Sequence, residues 1–181
     1  MEYTVMVPSD IAAKNVDAWN RSVVNTEADI ENGAVFACGA LSTDKKQNDV
    51  FTMVTPTTGA GLKNLWMAYS PEVVVTQSGD FQVKGIDADP RHFVNVKGVP
   101  FDAYKIQVGD QITLTEAGIS GTKGASTYVV AANGATKLAF ASAAIEGVTY
   151  KILKETNIII ANGNISGNAV KAYLLECVAI A

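Results

Sequence analysis

Three Asn-Gly pairs, Asn32-Gly33, Asn133-Gly134 and Asn162-Gly163, each stand beside an apolar run, and this pattern narrows the fold more than any other feature of the chain. Asn-Gly takes the positive φ angles of tight turns at little cost, so apolar segments punctuated by it read as strands joined by hairpins. Ser78-Gly79 and Gly109-Asp110 add turn signals, and Pro56, Pro71, Pro90 and Pro100 fall between the apolar runs. The spacing predicts strands at 34–41, 49–55, 64–69, 72–77, 80–85, 92–97, 103–108, 111–115, 127–132, 137–142, 148–153, 156–161 and 168–179. In the best-phased piece, Ile106, Val108, Ile112 and Leu114 share one parity around Gly109-Asp110, which reads as a turn or bulge between two half-buried strands. The expectation is an all-β chain, mainly β, with a β-barrel or sandwich core built from short hairpins.

The first 32 residues follow a different pattern. Ala12, Val16, Trp19 and Val23 lie at helical spacing after Ser9 or Asp10 as a cap. Asn15, Asn20, Asn25 and the β-branched pair Val23-Val24 weaken such a helix, so an extended arm ordered by a neighbour is the competing reading. Residues 1–32 are therefore expected as an N-terminal arm, extended or partly helical, and 33–181 as the β-rich core. A two-part alternative divides that core into a small β layer at 33–77 and a barrel-like unit at 78–181, with the loop 56–63 as a mobile excursion.

At 181 residues, 48% of them hydrophobic, the chain is long enough to bury a substantial core without staples. Only 18% of residues are charged, against about 25% in an average domain. Two readings stay open: part of the surface is covered by a partner, or Ser and Thr occupy positions that helical proteins give to Glu and Lys. A net charge of −4, with no basic cluster beyond Lys45-Lys46, argues against nucleic acid as a partner. No apolar run is long enough for a membrane helix, and Met-Glu-Tyr-Thr-Val lacks the basic start and apolar stretch of a signal peptide, so no membrane partner and synthesis in a cytoplasm are expected. Cys38 and Cys177 sit in apolar strand-like sequence and read as small buried hydrophobes.

Candidate chemistry is sparse. The single histidine, His92, follows Asp87 and Asp89, which together suggest a hard-metal cluster; the preferred reading is an Asp-Pro turn whose carboxylates bond their own backbone, with no metal and no cofactor. No Gly-x-Ser-x-Gly elbow presents a serine, Gly118–Gly124 lacks P-loop spacing, and Gly59–Asn64 has Asn where a dinucleotide fingerprint needs its third glycine. Converging carboxylates for glycoside hydrolysis stay open, but nothing singles out a pair, and no enzyme is expected. Trp66 and Tyr69 fit a core, a protein-contact anchor or a sugar-stacking platform, the last with Tyr104 as a further candidate. Tyr3, Met6, Trp19 and Ile30 are contact candidates because they lie in the expected arm.

Three stretches in order, Asp29-Ile-Glu-Asn-Gly33, Leu65-Trp-Met-Ala-Tyr-Ser-Pro71 and Gly98-Val-Pro-Phe-Asp-Ala-Tyr-Lys105 with Val108-Gly-Asp-Gln-Ile-Thr-Leu114, resemble the small head decoration, or cement, proteins of tailed bacteriophages. The resemblance spans roughly residues 27–115. It implies a non-enzymatic virion protein on the capsid surface, bound in many copies to the major capsid protein lattice as a monomer or trimer. A tail-tube or neck subunit and a small carbohydrate-binding β module are the alternatives.

Overall fold

The computed structural model describes residues 2–72, 75–78, 81–84, 89–160 and 167–180. The chain runs β1 (Met6–Asp10), two 3₁₀ turns (Ala12–Asn15 and Asp17–Trp19), β2 (Asn20–Val24), β3 (Val35–Leu41), β4 (Val50–Val54) and β5 (Trp66–Ala68). It continues through β6 (Val75–Ser78), β7 (Phe81–Lys84), β8 (Phe101–Lys105), β9 (Gln111–Thr115), β10 (Ile119–Ser120), β11 (Tyr128–Val130), β12 (Leu138–Ala141), β13 (Val148–Ile160) and β14 (Asn168–Ile180). The expected all-β architecture is what forms.

Among the described residues, β2, β4, β3, β5 and β8 close a barrel, β1-β9-β14-β13-β11-β12-β10 form an open sheet, and β6 pairs with β7 alone. Two cores follow from this division. Val23, Phe36, Trp66, Ala68, Phe101 and Ala103 fill the barrel, while Val35, Met67 and Tyr104 point outward and pack with Met6, Ile112, Leu114, Tyr150, Tyr173 and Leu175 of the sheet. Neighbours along one strand thus enter different cores, which is why Ala34-Val-Phe-Ala and Leu65-Trp-Met-Ala are continuous apolar runs rather than alternating ones.

The first 32 residues are structural staves rather than an arm. Residues of β1 pair antiparallel with β9 from Met6↔Leu114 to Asp10↔Gln111, and β2 bridges β4 and β8 to close the barrel. The helical spacing of Ala12, Val16, Trp19 and Val23 is realised only in the two 3₁₀ turns, because Asn20–Val24 gains more from two strand partners than from an Asn-interrupted helix. The barrel likewise occupies residues 20–105, not 78–181, since β9 to β14 go to the open sheet.

Other expectations are corrected locally. The predicted strand at 92–97 is a 3₁₀ turn at Pro90–His92 followed by a single bridge, Ile30↔Asn95. Segments 148–153 and 156–161 merge into one strand, β13. Val108, expected inside with Ile106, is exposed because the strand ends at Lys105 and the chain is already turning toward Gly109. Asn32-Gly33 makes no hairpin: the buried Asn32 amide donates to the Ser70 carbonyl at 2.9 Å, and its oxygen accepts from the Ser70 and Asn95 nitrogens at 3.1 Å each. Gly33, at φ +84°, lies where an added Cβ would stand 2.6 Å from Leu114 Cδ1, so barrel and sheet touch there through backbone. Asn133-Gly134 does join the antiparallel pair β11 and β12. The same turn pins the loop 56–63, through Gly134 N–H to the Pro56 carbonyl (2.8 Å) and Thr58 N–H to Asn133 Oδ1 (3.1 Å). Residues Gly79 and Asn162-Gly163 lie outside the described residues.

One core hydroxyl is poorly satisfied. Among the described residues, the fully buried Tyr150 hydroxyl finds no partner in good hydrogen-bond geometry, its polar neighbour being the Tyr104 hydroxyl, which itself donates to Met67 Sδ at 3.1 Å. Burial pushes both phenol pKa values well above their ordinary value. A buried orphan hydroxyl costs desolvation without return, so Tyr150→Phe is expected to leave stability unchanged or raise it by up to about 1 kcal/mol in a urea melt. A loss of more than about 1 kcal/mol would show that the hydroxyl is bonded to Tyr104 after all.

Candidate functional site

Two features of the described surface are built from converging elements: a β ribbon that runs past its sheet neighbours and a cleft on the barrel wall. The ribbon is the far half of the hairpin β13–β14. Both strands have sheet neighbours only near the body, with β11 covering Thr149–Lys151 and β9 covering Ala172–Glu176. From Lys154↔Leu174 outward to Ile160↔Asn168, β13 pairs with β14 alone among the described residues, a stretch of roughly 20 Å at the rise of a strand. Ile158 pairs with Val170 on a covered face that also buries Ile160 at 3% exposure, while on the other face Ile159 is 76% exposed. Leu153, near the ribbon base, is 41% exposed. The pairs Lys123–Glu155 (2.8 Å) and Lys171–Glu116 (3.0 Å) tie the base to the body. Glu116 also accepts from the Tyr173 hydroxyl at 2.8 Å, and these bonds hold its carboxyl below the usual range.

The cleft encloses about 490 Å³ over the outer face of β2 and β8, between the first 3₁₀ turn and the Tyr69–Pro71 segment. Ile11, Ala103 and Tyr104 are its buried lining, Lys14, Arg21 and Asp102 its charged residues, and Tyr69, Asn20 and Ser22 stand beside them. Ser22 and Asp102 are register partners, so strand geometry alone places both side chains on one face.

The sequence-derived contact candidates separate. Met6, Ile30 and Trp66 are buried in this chain, Met6 in the core between barrel and sheet and the other two in the barrel. Trp66 lies beneath the Arg21 guanidinium, 4.7 Å from its ring, with Phe51 at 4.1 Å. Trp19 packs partly buried against the larger core. Tyr3 is half-buried, its N–H donating to the Arg91 carbonyl at 2.6 Å. Tyr69, at 37% exposure, is the most exposed of the six.

Asp87 lies outside the described residues. Asp89 accepts from the Arg91 backbone N–H at 2.9 Å and from its guanidinium at 2.7–3.2 Å, and these bonds lower its pKa. Its carboxylate therefore serves the turn. Arg91 reaches on to Glu2 at 2.8 Å. Burial pushes the Cys38 thiol up to about 11 and Cys177 up to about 12, so neither carries thiolate character at neutral pH. The ribbon was within reach of the sequence, because 148–161 and 168–179 flank Asn162-Gly163; its lack of sheet neighbours was not.

No family model, curated protein or solved structure matches the chain.

Proposed function

We infer that the protein is a non-enzymatic virion component that binds the outer surface of a tailed-phage capsid lattice and stabilises it. The ribbon carries this reading. A two-stranded ribbon is marginal on its own in water, and its open strand edges and exposed Ile159 are liabilities that a neighbouring protein surface removes. Repetition on a symmetric shell multiplies a modest contact of this kind into a large collective effect. The sparse charge of the chain and its resemblance to head decoration proteins point the same way. The contact element has moved, however, from residues 1–32 to the hairpin at the other end of the chain.

The test is co-sedimentation with phage heads lacking the protein, comparing the natural chain with one in which Asn-Gly replaces residues 157–171. Thr156 and Ala172 are register partners, so that turn closes the shortened hairpin without disturbing β9 or β11. Binding by the natural chain and at least about tenfold weaker binding by the shortened one, still folded, is the expected result. Equal binding by a folded shortened chain removes the ribbon's role, and no binding by either removes capsid decoration.

A further inference from the structure

We propose that the cleft beside Tyr69 is a binding site for a neutral saccharide of two or more rings, a function separate from attachment through the ribbon. Buried Ile11 and Tyr104 supply an apolar lining, and the exposed part of the Tyr69 ring supplies a flat stacking surface. Around them stand polar groups whose capacity the protein leaves unused. The Asp102 carboxylate makes no hydrogen bond or ion pair among the described residues, although its backbone is engaged, the N–H by Ser70 Oγ at 3.0 Å and the carbonyl by Tyr69 N–H at 2.9 Å. Asn20 spends its amide hydrogens on the Ala13 and Val16 carbonyls, 2.8 and 3.1 Å away, which leaves its oxygen as an acceptor. Lys14 reaches only the Ser9 carbonyl, at 3.5 Å, and has no carboxylate partner.

The chemistry of the lining selects the ligand. Lys14, Arg21 and Asp102 are the charged residues of the lining, and the Arg21 guanidinium is stacked on Phe51 and Trp66, so Lys14 and Asp102 are the charges left to meet a ligand and a strongly charged one gains from one and is repelled by the other. A purely apolar ligand would strip water from Asp102, Asn20 and Lys14 and return nothing. A pyranose has an apolar C–H face for Tyr69 and a rim of hydroxyls that both donate and accept, which suits a carboxylate, an amide oxygen, the Ser22 hydroxyl and an ammonium together. On the other side of Tyr69–Pro71 lies a separate recess of about 160 Å³ bounded by Met6, Val7, Pro8 and Glu72.

The experiment is a heteronuclear NMR titration of the isolated full chain with maltose, cellobiose, lactose and N,N′-diacetylchitobiose, each added separately. Saturable shifts confined to amides around residues 11–22, 69–72 and 102–104 are expected with at least one of them. Tyr69→Ala and Asp102→Ala should each weaken that binding by about tenfold or more, and Tyr69→Phe should retain it because stacking needs only the ring. Both altered side chains are surface groups, so the thermal melts should match the natural chain. Absence of saturable shifts across the panel overturns the proposal, as does binding that survives both alanine substitutions. Because no capsid enters the titration, its outcome is independent of the co-sedimentation result.

Discussion

Removal of residues 1–26 is expected to abolish folding. The truncated chain loses β1 from the edge of the open sheet and β2 from the barrel, where β2 is the only stave joining β4 to β8. Val23 leaves the barrel core, and Met6, Ile11 and Ala13 leave the core between barrel and sheet. Fully burying a large aliphatic side chain contributes about 1.5–3 kcal/mol, so Met6, Ile11 and Val23 together approach the 5–15 kcal/mol that is about all a domain has. β4 and β8 each lose one of their two strand partners besides, keeping only β3 and β5. Far-UV circular dichroism and a thermal melt decide the matter: loss of the cooperative transition is expected. A truncated chain that melts cooperatively near the natural temperature would restore the arm.

Asp110→Ala is expected to destabilise the chain by about 2–4 kcal/mol, read from chemical denaturation, because it orphans two backbone donors at once. The Asp110 residue is 1% exposed, and its carboxylate accepts from Ala12 N–H at 2.9 Å and Gln107 N–H at 2.8 Å. One side chain thus clamps the start of the 3₁₀ turn after β1 to the turn between β8 and β9. Cys177 adds a backbone bond to the Asp110 carbonyl at 2.8 Å, which brings β14 to the same point. Asp110→Asn keeps one acceptor oxygen and should lose roughly half as much. A sign follows for pH. Burial outweighs the two backbone bonds and raises this carboxyl's pKa above the ordinary 3.8. The folded state then holds the proton more tightly than the unfolded chain does, so the group's contribution is full below the unfolded value and declines as pH rises through the raised folded one. The deficit of Asp110→Asn relative to the natural chain should accordingly be larger in acid than at neutral pH. A pH-independent deficit would assign the whole effect to the lost bonds.

Much of the fold was legible because strands and turns are local. Val35–Leu41, Val50–Val54, Gln111–Thr115 and Leu138–Ala141 fall within or close to the expected segments, since β-branched and apolar residues bounded by Gly, Asn or Pro have few other conformations that bury them. Met6–Asp10 and Asn20–Val24 were missed for the converse reason. Each is short and polar on one face, Pro8 and Asn20 argue against a strand, and only β9 or the pair β4 and β8 make the extended form favourable. Of the expected contact residues, Tyr69 is the most exposed. Trp66, three residues earlier, has the opposite parity and enters the barrel. Position in the sequence carries no information on which face of a stave a partner will close over.

The residues by themselves determined that this chain is built of strands, that Gly33 and Gly134 take positive φ, and that Asp89 bonds within its own Asp-Pro turn, all consequences of neighbours within a few positions. The tertiary structure decided the rest: that the barrel closes early in the chain, that residues 6–24 supply one strand to the open sheet and one to the barrel, that β13 and β14 outrun their neighbours, and that Ser22, Asp102 and Tyr69 share one cleft. Each of these depends on pairing between segments tens of residues apart. Such pairing is selected by the cores it fills, a property of the whole chain that no local window contains.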